Sequence, residues 1–221
     1  MKSSNQIKKF ILDNLNHHQR DIIQTAIQRF GISRQAALKH MHFLIDQKQV
    51  VAHGKTRDRF YELRPHVNFS KTISIDSNFS LEQILKDQIL PHLSSLSMNV
   101  HEICEFSLAA ILQNILDHAN ATKLYYKLYI NHNDVHIIIA DNGRGLFEHI
   151  KSLLNLENIK VAAIELAKGH VTTDPKNHSG DELNTVIQLF DKVTIDSSGK
   201  SLIFINKTQD WIIKNSPQQQ G

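Results

Sequence analysis

The stretch Val135-His136-Ile137-Ile138-Ile139-Ala140 followed by Asp141-Asn142-Gly143-Arg144-Gly145 decides how this chain is read. A β-branched apolar run predicts a strand, and Asp-x-Gly-x-Gly places one carboxylate at its end. Glycines beyond a strand let the chain turn with positive φ and let a flat ligand approach the backbone. The carboxylate there can accept a hydrogen bond from an exocyclic amine such as that of adenine. Asn-Gly is equally a strong hairpin signal. However, Leu146-Phe147-Glu148-His149-Ile150-Lys151-Ser152-Leu153-Leu154 carries helical rather than strand periodicity.

Outward from this motif the pattern alternates helices and strands. Asn99 to Ala119 predicts a long helix with Ile103, Phe106, Ala110, Asn114 and Asp117 near one face. Ser80 to Leu96 predicts a helix kinked at Pro91. Lys123–Asn131 and Val135–Ala140 predict two strands. A hairpin is expected from Lys192–Asp196 and Ser201–Asn206 around Ser198-Gly199-Lys200, and residues 211–221 are expected to form a flexible tail.

Charge separates the first third of the chain from the rest. Residues 1–66 hold 12 Lys/Arg against 5 Asp/Glu, a net of +7, whereas residues 67–221 hold 13 against 17, a net of −4. A basic module on a mildly acidic body points to nucleic-acid contact at one end. Its helices are expected over Ser3–Leu15, from an Asp21 cap to Phe30, and from a Ser33 cap onward, with Gly31 ending the second. Ala37, Met41, Leu44 and Ile45 form the apolar stripe of the third. Val50-Val51-Ala52 and Arg59–Leu63 read as two short strands around Gly54. Ser33, Arg34, Gln35, Lys39 and His42 fall largely off the apolar stripe, suited to contacts with double-stranded DNA; Lys55, Arg57 and Arg59 decorate the hairpin.

Gly31-Ile32-Ser33-Arg34-Gln35-Ala36-Ala37-Leu38-Lys39-His40-Met41 resembles the turn and recognition helix of bacterial winged-helix regulators. Ile111-Leu112-Gln113-Asn114-Ile115-Leu116-Asp117-His118 followed by Asp141-Asn142-Gly143-Arg144-Gly145 resembles the Bergerat-fold ATP-binding domain of histidine kinases and gyrase-type topoisomerases. Gly169 to Gly180 resembles the lid of a bacterial subgroup that joins the two modules. The fold class expected is therefore α+β: an N-terminal winged helix-turn-helix at 1–66, a junction at 67–78, and a two-layer α/β Bergerat sandwich at 79–210.

The resemblance implies ATP and Mg²⁺ as ligands. It places Asn114 on the metal, His118 in the same site, Asp141 on the adenine amine, and Gly143 and Gly145 where space is left for the base. Lys168, Lys176 and His178 would reach phosphates, and Gly180 would open an anion-binding helix terminus. The family's catalytic glutamate lies four residues before the asparagine, where this chain has Ala110; Glu105 lies on nearly the opposite face. Glu182 stands where the lid has its second glycine. No catalytic residue is therefore assigned.

The function expected is a DNA-binding transcriptional regulator whose ATP-binding-type domain does not hydrolyse ATP. An active ATPase, or a protein kinase acting on a partner regulatory protein, is the alternative, and an adaptor lacking both ligands is a third. One cysteine, Cys104, excludes an internal disulfide framework, and no apolar run reaches the ~20 residues of a membrane span; a cytoplasmic location is expected. The fourteen histidines fall at no recognised metal-ligand spacing.

Overall fold

The computed structural model describes residues 3–169 and 182–216. The chain is α+β and divides into two compact units, one formed by residues 1–71 with 126–138, the other by 72–125 with 139–221. Among the described residues the strands form three small sheets, and no helix is long and apolar enough to cross a membrane.

In the first unit, α1 (Ser4–Asn14), α2 (Ile22–Phe30) and α3 (Arg34–Asp46) precede an antiparallel pair, β1 (Val50–His53) and β2 (Phe60–Leu63). Each helix boundary has a chemical cause. Ser3 accepts the Asn5 N–H, while Gln6 accepts the Ser3 N–H at 3.1 Å, a reciprocal capping box. Gly31 ends α2 in the left-handed region at φ 63°, and Ser33 starts α3 by accepting the Ala36 N–H at 3.2 Å. Asp21 was the expected cap of α2 but makes no capping bond; its carboxylate pairs with His18 Nδ1 at 3.1 Å instead. Ile7, Ile11, Leu15, Ile22, Ala26, Ala37, Met41 and Leu44 close a core with Val50, Tyr61 and Leu63. These side chains each remove apolar area worth roughly 1.5–3 kcal/mol when large.

The stretch expected as a junction, with a strand read within it over Phe69 to Ile75, contains the strand β3 (Val67–Ser74). Val67, Phe69 and Ile73 at alternate positions, with β-branched Thr72, favour extended backbone over a linker. It joins β4 (Lys123–Ile130) and β5 (Val135–Asp141) in the order β3-β4-β5. Within the first unit, the β4–β5 turn is tied to the end of α1. Asn133 Nδ2 donates to the Leu12 carbonyl at 2.9 Å, His132 pairs with Asp13 at 3.1 Å, and Asn16 donates to Asp134 at 2.7 Å.

In the second unit the expected helix over Ser80–Leu96 is broken into α4 (Leu81–Ile84), a π segment (Leu85–Ile89) and a 3₁₀ segment (Leu90–Leu93). Pro91 lacks the N–H that α-helical pairing needs, so the register changes around it. Then come α5 (Met98–His118), α6 (Leu146–Leu153), α7 (Ile159–Lys168) and α8 (Glu182–Leu189). The strands β6 (Lys192–Ser197) and β7 (Lys200–Ile205) form the expected hairpin, turning through Ser198 and Gly199 at φ 49° and 76°.

The flexible tail expected at 211–221 is corrected for its first half. Residues Asp210–Asn215 form β8, antiparallel to β7, with Trp211 opposite Phe204 and their ring centres 4.7 Å apart. Alternation of Trp211 and Ile213 toward the core against exposed Asp210, Ile212 and Lys214 drives that pairing. The remainder, from Pro217, lies outside the described residues.

Candidate functional site

On the first unit, all eight expected DNA-facing residues, Ser33, Arg34, Gln35, Lys39, His42, Lys55, Arg57 and Arg59, are exposed. They divide by geometry. Ala37, Met41 and Leu44 bury one face of α3, and Gln35, Lys39, His42 and Asp46 form the ridge directly opposite, in a shallow groove flanked by Leu38 and Phe43. At 3.6 residues per turn, Arg34 sits about 100° round from Gln35, on the flank of the first turn. The ridge changes sign along its length: Lys39 is cationic, whereas Asp46 in the last turn repels phosphate. Its attractive part is therefore the N-terminal two and a half turns, roughly. Ser33 is already engaged as the cap, so its oxygen serves the helix start.

The loop between β1 and β2 presents Lys55, Arg57 and Arg59. Among the described residues none of these three, nor Arg34 or Lys39, lies within ion-pair distance of a carboxylate. Glu62, the nearest carboxylate on β2 by sequence, is instead taken by His53 Nε2 at 3.0 Å, whose ring stacks on Phe60 at 4.7 Å. Gly54 makes the tight return possible: its φ is +70°, and a Cβ there would meet the Asp58 carbonyl oxygen at 2.4 Å.

Lys8 is a basic residue the sequence reading did not single out. Its ammonium lies 4.2 Å from the centre of the Phe43 ring, and Phe43 is exposed. Burial, then Lys8, then Lys39 hold the His40 imidazole below its ordinary range. Only the tertiary approach of α1 to α3 brings Lys8 to that face, and no local pattern announces it.

On the second unit, the Asp141 loop joins β5 to α6, so the hairpin alternative at Asn142-Gly143 is not formed. Asp141 is half-buried, and one of its carboxylate oxygens accepts the Gly143 N–H at 2.8 Å. Asn142 does most to fix the loop. Its Oδ1 accepts the N–H groups of Thr122 (2.9 Å) and Lys123 (2.8 Å), and its Nδ2 donates to Thr122 Oγ1 at 2.9 Å. The Arg144 N–H donates to the Ala119 carbonyl at 2.6 Å, tying the loop to the end of α5.

The glycines allow close packing, and their backbone corrects the expectation of positive φ. Neither Gly143 nor Gly145 is in the left-handed region; Gly145 has φ −60°. A Cβ on Gly143 would lie 2.2 Å from the Ala119 oxygen, and one on Gly145 would lie 2.6 Å from the hydroxyls of both Ser197 and Ser198. The loop is thus wedged between the end of α5 and the β6–β7 turn.

Asn114 is half-buried on α5, one turn before His118. His118 stacks on His149 of α6 with ring centres 5.6 Å apart. The Arg144 guanidinium contacts His149 Nδ1, and because arginine only donates, Nδ1 accepts and the proton sits on Nε2. That Nε2 is buried without a hydrogen-bond partner. Burial first, then Arg144, then His118, keep His149 below the ordinary imidazole range. Ala110 is half-buried and offers only a methyl group. Lys168 pairs with Glu165 at 2.6 Å on its own helix. Lys176, His178 and Gly180 lie outside the described residues; Glu182 is exposed at the first position of α8.

No family model matches this chain, and no curated protein matches it. Among solved structures, it is similar to one described as the crystal structure of an IcIR transcriptional regulator from Alicyclobacillus acidocaldarius. That match has 13% identity and a TM-score of 0.30, covering 99% of this chain and 90% of the other. A similarity of that size establishes neither fold nor function.

Proposed function

We propose that the chain is a DNA-binding transcriptional regulator acting in the cytoplasm, whose first unit is a winged helix-turn-helix docking α3 in the major groove and the β1–β2 loop on the backbone. One observation carries this reading: the basic groups of α3 and of the loop are all exposed and unneutralised by carboxylates among the described residues. Leaving like charges unpaired on one small module is unfavourable unless a polyanion supplies the counter-charge. Arg34 and Gln35 would read base edges from the first turn of α3, and Lys39, Lys55, Arg57 and Arg59 would hold phosphates.

The second unit is read as a Bergerat-type ATP-binding domain without hydrolytic activity. The carboxylate supports a base-binding role: one Asp141 oxygen is fixed by Gly143, and the other makes no hydrogen bond among the described residues, leaving it to accept an exocyclic amine. Asn114 would supply an amide oxygen to Mg²⁺. The packed glycines do not contribute an open cradle, and no residue near Ala110 on α5 replaces the missing base.

The test is a comparison of two variants on a duplex selected from a random pool. Arg34→Ala should weaken binding and relax discrimination at one base pair by about 1–3 kcal/mol. Lys55→Ala should weaken all sequences alike. Equal, sequence-independent losses from both would overturn the assignment of Arg34 to a base.

A further inference from the structure

Lys8 and Lys39 come from different helices, yet both border the exposed ring of Phe43: the Lys8 ammonium lies 4.2 Å from its centre, and Lys39 lines the same shallow groove as the ring. Both charges are felt at His40, and among the described residues no ion pair relieves either of them. Lys8 is held in place by the π face of Phe43, which limits the freedom a surface lysine normally keeps. Phe43 itself is 46% exposed, so it acts as a platform and not as core.

Resting on the DNA-binding reading above, we propose that Lys8 of α1 and Lys39 of α3, which both border Phe43, form one grip for a backbone phosphate of duplex DNA. Charge complementarity selects this occupant: Lys8 and Lys39 are both cationic, and Gln35 and Arg34 toward the start of α3 are exposed. A phosphate seated between the two ammonium groups removes their mutual repulsion and gains two charge-assisted hydrogen bonds. Such a contact positions the helix without reading sequence. It extends the interface from α3 and the loop onto α1, a helix that carries no expected contact.

The experiment measures binding of the full-length chain to a short random-sequence duplex across a salt series. Lys8→Met should reduce affinity several-fold for every sequence and make the slope of log K against log salt shallower, by less than the ~0.9 of a whole phosphate contact because Lys39 still meets the phosphate. Lys8→Arg, which keeps both the charge and the stacking on Phe43, should restore the wild-type slope. Lys9→Met removes the same charge from the next residue of the same helix and should leave the slope unchanged. Thermal unfolding followed by circular dichroism confirms that each variant folds. Equal changes in slope from Lys8→Met and Lys9→Met, with the wild type binding, would overturn the grip while leaving the DNA-binding reading intact. No duplex binding by the wild type would overturn both.

Discussion

Replacing Gly143 by alanine separates two reasons for a glycine in this loop. If glycine were needed to admit a ligand, the variant would fold normally and lose only binding. The structure predicts the opposite: a Cβ would lie 2.2 Å from the Ala119 carbonyl oxygen and 2.8 Å from its carbon, both backbone atoms. No backbone strain enters, because Gly143 is not in the left-handed region. Retreat is blocked, since Asn142 pins the loop to Thr122 and Lys123, and Gly145 is seated against Ser197 and Ser198. Forcing a methyl into such a site costs about 1–3 kcal/mol. Moving the loop enough to relieve it also breaks the Arg144–Ala119 bond, about 1 kcal/mol more. Trp211, the chain's single tryptophan, sits in the second unit against Phe204, so its fluorescence follows that unit during urea unfolding. With a urea slope of about 1–3 kcal/mol per molar, the midpoint should fall by about 1–2 M without any nucleotide present. Gly199→Ala is the control: nothing lies within 4 Å of its Cβ position, and only the φ of +76° opposes it, so its loss should be about 1 kcal/mol. A Gly143→Ala midpoint equal to wild type would refute the wedge.

Further outcomes follow from the same contacts. His149 is held neutral in the folded state, so the unfolded chain binds the extra proton first. Second-unit stability should therefore be constant at high pH and fall as pH drops below the ordinary imidazole value of about 6.5, read from the Trp211 midpoint; His149→Gln should flatten that dependence. Asp141→Asn should abolish any preference for ATP over GTP in equilibrium binding while leaving the unfolding midpoint within about 1 kcal/mol of wild type. ATP turnover by the wild type should be at background in a phosphate-release assay. Ala110→Glu should raise it if nucleotide binds, because a positioned base contributes typically ~10²–10⁴-fold.

Local chemistry made the first unit readable. Gly31, Ser33 and Gly54 each announce a boundary by what their backbone or side chain can do, and the helices and hairpin form where those residues stand. The second unit was legible in element order but less so in the role of its motif. Gly143 and Gly145 are needed because α5 and the β6–β7 turn approach them, a tertiary fact that a glycine does not reveal. Asn142 looked like a turn residue and is the clamp of the loop. The strand β8 carried a readable alternation at Trp211 and Ile213, masked by the polar residues that follow. Lys8 gave no signal, because its significance depends on Phe43, 35 residues later.

The most direct test of the account is fluorescence-anisotropy binding of the full-length chain to a labelled random duplex over a salt series, beside a variant carrying Lys39→Glu, Lys55→Glu and Arg57→Glu. The account predicts binding at low salt by the wild type, weakening steeply as salt rises because counterions are released, and no measurable binding by the variant. Absence of wild-type binding at low salt, or equal binding by the two proteins, would contradict it.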